Sequence, residues 1–239
     1  MNLLLLQPED VGCNPTSHNI TLTDHRAAHI RNVLRAKLGD TLKVGMLNGL
    51  TGSASITAIN NDSVSIEFEL HSPPPAKLAL TLLLALPRPK MARRIIRSAT
   101  ELGASEIILL NSYRVDKSYW QSPLVSEETL HKAMLEGLEQ AGDTVLPTLR
   151  RAERFKPFVE DELPSLLENK IGLLAHPYSE QSPPQKVQQD CVLAIGPEGG
   201  FIPYECEKLI DAGLQSFSLG SRILKTETAV STLIGRLFL

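Results

Sequence analysis

Residues 191–201 read "CVLAIGPEGGF". Five apolar residues run unbroken into a glycine-rich turn, the pattern of a short strand covered on both faces that ends in a loop. That loop fits neither common nucleotide cradle, since it lacks both the G-x-G-x-x-G spacing of a dinucleotide site and the Gly-Lys-Ser/Thr of a phosphate loop. Glu198 would also repel a phosphate. Gly199 and Gly200 allow positive φ and let a ligand press on bare backbone, which favours an uncharged or cationic group. Taken alone, the stretch reads equally well as a ligand-free turn from strand to helix. In open parallel sheets ligands sit beyond the carboxyl ends of strands, so the elements around this strand decide what the loop does.

Working outward, "LALTLLLAL" (78–86) is another continuous apolar run, followed by "PKMARRIIRSATEL" (89–102) with Met91, Ile95, Ala99 and Leu102 at helical spacing. Gly103 is placed to end that helix. Next come "EIILL" (106–110), a helix around "TLHKAMLEGLEQA" (129–141) with Leu130, Met134 and Leu138 on one stripe, and "IGLLA" (171–175). After "CVLAI" the pattern gives a helix opened by Pro203 and closed by Gly213, the strand "SFSLG" (216–220), and a final helix with Val230, Leu233, Ile234 and Leu237 inward. This alternation predicts an α/β domain with a mostly parallel sheet.

The first seventy residues differ. "TLKVGMLNG" (41–49), "TGSASITAI" (51–59) and "SVSIEFELH" (63–71) alternate and are joined by Asn-rich turns, so they predict antiparallel neighbours in a small β-barrel. A short helix from Asp24 to Leu34, N-capped by Thr23, interrupts them. "SPPPAK" (72–77) can continue neither ladder nor helix, which places the domain boundary there: 1–72 and 73–239.

Composition narrows the classes. The 239 residues are 42% hydrophobic with a net charge of −3, so any nucleic-acid contact needs a local patch. Cys13, Cys191 and Cys206 are too far apart for a metal or redox pair and read as reduced thiols. His25 and His29 lie four apart without a third ligand, so no metal is assigned. No run approaches the roughly 20 apolar residues of a membrane span, and the opening "MNLLLLQPED" is a poor signal peptide. A cytoplasmic protein is expected.

A second stretch, "SRILKTETA" (221–229), sits between the strand "SFSLG" and the last helix. Thr226 suits an N-cap and Glu227 a helix N-terminus, but structural need does not explain Arg222 and Lys225 flanking the apolar Ile223 and Leu224. Together, "ATELGASEIILL" (99–110), "IGPEGGF" (195–201) and "LGSRILKTETA" (219–229) resemble the SPOUT methyltransferases, and among them the bacterial family that methylates uridine N3 in 16S ribosomal RNA. "HIRNVLRAKLGD" (29–40) is similar to that family's PUA-like RNA-binding barrel. The resemblance implies a trefoil knot in the C-terminal domain, a homodimer through that domain, and the small ribosomal subunit as substrate. The final "LIGRLFL" (233–239) is a candidate dimer contact and equally a buried helix of its own domain.

The resemblance also implies S-adenosylmethionine as cofactor. Leu174, Ala175 and His176 would form one wall, Ile195, Gly196, Pro197, Gly199 and Gly200 a second, and Leu219, Gly220, Ile223 and Leu224 a third, with Ala229 closing it. Uracil N3 carries a proton that must leave before the nitrogen attacks the methyl group. Arg222 is the candidate for stabilising charge on the uracil oxygens and Glu227 or Glu198 for the base, although each carboxylate reads equally as a cap or a loop ion pair. Two cationic clusters could follow RNA phosphates: Arg93, Arg94, Arg97, Arg114 and Lys117, and, on the small domain, Arg26, Arg31, Arg35 and Lys37. The chain departs from the resembled family in three places. Ala141, Gly142 and Asp143 stand where Ser and then Arg are usual, Lys225 replaces an Arg, and "NSYRVDKSYWQSP" (111–123) is unlike the expected segment. A methyltransferase of this fold with another RNA target, or a non-catalytic ribosome-assembly factor, are the alternatives; a doubly wound nucleotide enzyme is disfavoured by the missing phosphate-loop signatures.

Overall fold

The structure is a computed structural model that describes residues 2–11 and 18–239; Cys13 lies outside them. The chain divides into two compact units, Met1–Pro75 with Leu135–Leu146, and Ala76–Met134 with Pro147–Leu239. The break therefore falls at the end of the proline run, and the smaller unit also takes a segment from far along the chain.

The small unit is a five-stranded sheet in the order β1-β3-β4-β5-β2, made of β1 (Leu4–Leu6), β2 (Asn19–Leu22), β3 (Thr41–Met46), β4 (Thr51–Ile59) and β5 (Val64–Ser72). β1 pairs with β3 in parallel and the other pairs are antiparallel. Alternating apolar residues of the sheet, among them Val44, Ile56, Ile66 and Phe68, bury one face against Ala27 and Ile30 of α1 (His25–Asn32). Leu135, Leu138 and Leu146 pack on Leu3, Leu5 and Leu47, and Thr144 and Asn48 exchange backbone and side-chain hydrogen bonds with the β3–β4 turn and its partner segment. The strands β1 and β2 were not legible, being only three and four residues long.

Helix α1 begins later than Thr23 would place it. Asp24 is its N-cap, its carboxylate accepting from the backbone N–H of Arg26 at 2.9 Å. Arg26 also overturns its assignment to RNA. Its guanidinium is buried, donating to both oxygens of Asp10 at 2.6 Å, to Asp24 at 2.7 Å and to the Leu5 carbonyl at 3.0 Å. Burial opposes its charge, but the two carboxylates outweigh that and hold the guanidinium firmly protonated. Arg31 is half-buried and braces the β4–β5 turn through the Asn61 carbonyl, leaving Arg35 and Lys37 as the exposed cations of that cluster.

The large unit carries an all-parallel six-stranded sheet in the order β11-β9-β10-β6-β7-β8, from β6 (Leu78–Ala85), β7 (Ala104–Leu110), β8 (Thr148–Ala152), β9 (Ile171–Ala175), β10 (Cys191–Ile195) and β11 (Gln215–Phe217). The central strands are apolar throughout because helices cover both faces. These are α2 (Pro89–Glu101), α3 (Glu127–Ala141), a bent helical stretch formed by α4 (Phe155–Pro157), a π-turn (Phe158–Glu162) and α5 (Leu163–Leu166), then α6 (Pro203–Asp211) and α7 (Thr226–Phe238). Residues of α3 up to Met134 belong to this unit and those from Leu135 to the small one. Cys191 sits inside the sheet, where burial pushes its thiol up to about 12, so it stays protonated and unreactive. Helix α7 starts at Thr226 with Lys225 as N-cap and without a side-chain cap, so Thr226 is a buried first-turn residue rather than the cap. No helix of the described residues is long and apolar enough to cross a membrane.

Replacing Arg26 by Ala would leave two carboxylates facing a buried void without their counter-charge. The expected loss is about 3 kcal/mol in urea unfolding, at the low end for a broken buried pair because Asp24 is partly exposed. Burial alone would raise the Asp24 carboxyl, but its bonds to Arg26 bring it below its ordinary 3.8. The pair's contribution is therefore present above pH 3.8 and is lost as acid protonates Asp24 below it, so the stability gap between wild type and Arg26→Ala should narrow in acid.

Candidate functional site

The sheet order sets the carboxyl ends of β11, β9, β10 and β6 side by side. The segments leaving them enclose a cavity of about 670 Å3, within the range of small-molecule sites. Its first wall is the end of β9 with Ala175, His176, Pro177 and Tyr178. The second is the loop from Ile195 to Phe201 after β10, and the third runs from Phe217, Ser218 and Leu219 through Arg222, Ile223, Leu224 and Lys225. Glu227, Ala229 and Leu233 of α7 close it on one side, and Arg88, Met91 and Arg114 on the other.

The glycine loop has this shape for stated reasons. Gly200 takes φ of +73°, and its N–H returns to the Pro197 carbonyl at 2.8 Å. A Cβ on Gly196 would lie 3.1 Å from the Phe201 nitrogen and 3.3 Å from the Gly200 Cα, so that position must stay small for the turn to close. A Cβ on Gly200 would meet no protein atom within 4 Å; what a side chain there costs is the left-handed backbone. The loop is also tied outward. Glu198 accepts from the Arg88 backbone N–H at 3.0 Å, and the Arg114 guanidinium donates to the Gly199 carbonyl. Behind it, Glu205 of α6 is only 3% exposed, yet it accepts from Ile202 N–H at 3.0 Å and from Tyr113 N–H at 2.6 Å. One carboxylate thus joins the start of α6 to the segment after β7.

The other walls are equally held. His176 donates its backbone N–H to the Phe217 carbonyl at 2.9 Å, which couples the ends of β9 and β11. Burial lowers the pKa of its imidazole, so the ring is neutral at pH 7. Ser218 N–H donates to the Gln181 carbonyl at 2.8 Å, and its hydroxyl donates to the Pro177 carbonyl at 3.2 Å. A second groove of about 630 Å3 lies between α2 and α7, lined by Met91, Arg93, Arg94, Arg97 and Ser98 on one helix and by Glu227, Thr228 and Ser231 on the other. It shares Met91 and Glu227 with the first cavity.

Most expected site residues converge. Ala175, His176, Ile195, Gly196, Pro197, Gly199, Gly200, Leu219, Ile223, Leu224 and Ala229 line the cavity together with Glu198, Arg222 and Glu227. Leu174 and Gly220 do not line it. The Leu174 side chain is wholly buried within the sheet, and Gly220, at φ of +117°, shapes the loop by donating to the Ser218 hydroxyl. Arg93, Arg94 and Arg97 gather in the second groove, Arg114 turns into the cavity, and Lys117 is exposed away from both. Arg88, Met91, Tyr178, Phe201 and Phe217 were missed, although Phe201 and Phe217 are the apolar residues bounding the two quoted loops. The departure at Asp143 is not in the cavity: its buried carboxylate accepts from the N–H groups of Thr144 and Val145 inside the small unit.

Known proteins share this fold. An RNA methyltransferase domain family matches residues 74–237, and an RNA methyltransferase PUA domain family matches residues 22–69. A Treponema pallidum protein named ribosomal RNA small subunit methyltransferase E is 33% identical over 238 residues, covering 96% of this chain and 87% of that protein. A Rickettsia conorii protein of the same name is 29% identical, covering 90% and 86%. Among solved structures, that of a Neisseria gonorrhoeae ribosomal RNA small subunit methyltransferase E bound to S-adenosyl methionine superposes with a TM-score of 0.75 at 20% identity, covering 98% of this chain and 95% of the other, and shares the fold. The chain belongs to this RNA methyltransferase family.

Glu205→Ala should leave the Ile202 and Tyr113 amides without their acceptor. A loss of about 3 kcal/mol is expected in chemical unfolding, with Glu205→Gln intermediate because its carbonyl can still accept. Hydrogen exchange resolved by residue should show the Tyr113 and Ile202 amides opening fastest in the variant.

Proposed function

We propose that this chain transfers the methyl group of S-adenosylmethionine to N3 of a uridine in the 16S RNA of the small ribosomal subunit. The observation that carries the reading is the one-third identity, over nearly the whole chain, to a relative named for small-subunit ribosomal RNA methylation. The cavity supports it. Its inner surface is backbone and apolar side chain from Ile195, Phe201, Phe217 and Leu233, and the imidazole facing it is uncharged, which suits a sulfonium better than a phosphate would be suited. When bound, the cofactor supplies an activated methyl on a good leaving group.

The remaining work is alignment and proton removal. On this reading the 196–200 loop and the 219–224 segment would hold the donor in the cavity that Arg222 and Glu227 also line. Alignment of this kind is worth up to roughly 7–11 kcal/mol. Glu227 is the better base of the two carboxylates, because it stands where the cavity meets the arginine groove, whereas Glu198 is engaged with the Arg88 backbone. Arg222 would stabilise the negative charge that develops on the uracil oxygens as N3 loses its proton. Arg93, Arg94 and Arg97 would seat the phosphates beside the target.

We further infer that the small unit docks RNA through Arg35 and Lys37, that the enzyme is a cytoplasmic homodimer, and that its C-terminal segment is knotted. The strand order supports the knot: the chain leaving β10 must cross β9 to reach β11, then return through residues 219–225 beside the loop after β10.

Calorimetry should give a low-micromolar dissociation constant for S-adenosylmethionine, roughly −8 kcal/mol. Because burial holds His176 below its ordinary 6.5, affinity should be flat above that pH and fall as the ring gains charge below it, with His176→Asn removing the acid limb. Arg222→Ala should slow methyl transfer to unmodified small subunits about a hundredfold while changing cofactor affinity little. Mass spectrometry of ribosomal RNA from cells lacking the gene should show 3-methyluridine lost; unchanged 3-methyluridine would overturn the substrate.

A further inference from the structure

Among the described residues, only two large apolar side chains that stand mostly in solvent line the cavity: Tyr178, 76% exposed, and Ile223, 70% exposed. Tyr113 and Tyr204 are also exposed, but neither lines it. Tyr178 lies in "HPYSEQSPPQ" (176–185), whose sequence reads as a proline-rich connection with nothing to present. The structure shows the contrary. His176 is fixed to β11 through its backbone, and Ser179 N–H closes a turn onto the His176 carbonyl at 3.1 Å. The Ser179 and Ser216 hydroxyls meet at 3.2 Å, and Ser218 grips the segment at both Pro177 and Gln181. The Tyr178 ring itself rests on the His176 ring in an edge-on contact, centroids 5.8 Å apart.

An aromatic ring held this firmly, yet left in water, does little for the fold. Deep sites bury most of their ligand in their inner walls, and here those walls are Ile195, Phe201, Phe217 and Leu233, all buried. A ring at the mouth suits a planar group that arrives from outside. Uracil N3 lies on the pairing edge, so the target base has to leave its stack and its partner before it can react. It then needs a replacement surface.

We propose that Tyr178 is the stacking platform for the target uracil: the extruded base lies on its ring while Arg222, on another segment lining the same cavity, meets the uracil oxygens. Tyr178 is thereby a substrate-positioning residue, acting on RNA and not on the methyl donor. This rests on the reading of the chain as an RNA methyltransferase acting on the small subunit.

The test uses the full chain, S-adenosylmethionine and small subunits from cells lacking the gene, with Tyr178→Ala, Tyr178→Phe and Tyr178→Trp. Tyr178→Ala should raise the apparent KM for subunits about tenfold, the effect of losing one base–aromatic stack, with cofactor affinity by calorimetry unchanged. Phe and Trp should restore it, since a ring face and not the hydroxyl is required. Wild-type kinetics in Tyr178→Ala, or a fall in cofactor affinity matching the fall in kcat/KM, would overturn the platform, the second outcome giving the ring to the donor instead. A wild-type protein that binds S-adenosylmethionine yet methylates no subunit overturns the substrate reading itself, and the platform with it.

Discussion

One buried carboxylate holds the site in shape. Glu205 is almost completely removed from water, a position that would cost several kcal/mol for an unpaired charge. It is tolerated because it sits in the first turn of α6, where the helix dipole favours an anion, and because two backbone N–H groups donate to it. Those amides belong to Ile202 and Tyr113, so the charge that must be satisfied locks the segment after β10 to the segment after β7. Arg114, one residue beyond Tyr113, then reaches the Gly199 carbonyl, and Glu198 holds Arg88 from the other side. The glycine loop is therefore not a flexible flap: its backbone is fixed from three directions before any ligand enters.

The parallel sheet adds what local contacts cannot. Because β9 lies between β10 and β11, three loops distant in sequence leave neighbouring strand ends, and a cavity forms there without any loop having to reach far. Helix α7 returns into that space and pairs with α2 to make the arginine groove, with Glu227 at the junction. A donor pocket with an apolar inner wall of Ile195, Phe201, Phe217 and Leu233 thus opens beside a cationic groove.

Much of this was legible where pattern and physics coincide. Buried parallel strands such as 78–85 and 191–195 announce themselves as unbroken apolar runs, and the glycine loop shows its constraint in composition. β8 did not, because an edge strand reading Thr-Leu-Arg-Arg-Ala looks like a charged loop; its arginines are held by Glu162, 2.5 Å from Arg150, and by Glu153 and the face of Trp120 at Arg151. Arg26 misled for the converse reason. In sequence a cation on an amphipathic helix reads as solvent-facing, and nothing shows that Asp10, sixteen residues earlier, will fold back to meet it. The allotment of residues 135–146 to the small unit was hidden too, since Leu130, Met134 and Leu138 form one helical stripe whose two halves pack in different units.

The departures from the resembled pattern can be weighed by where they fall. Asp143 stands near where the resembled pattern has an Arg, and its Oδ1 accepts from the two N–H groups that follow it, in a turn of the small unit whose Thr144 carbonyl accepts from Asn48. A carboxylate that shapes its own turn and lines neither cavity bears on folding more than on substrate choice. Lys225 is different, because it lines the cavity at the start of α7 while its carbonyl accepts from Ala229. An ammonium there keeps the positive charge but offers no planar fork, so any two-point grip on a uracil or a phosphate at this wall falls to Arg222. On the proposed mechanism one guanidinium of this wall meets the base, and the orientation of the base must come from the surface it lies on as much as from the charge it meets.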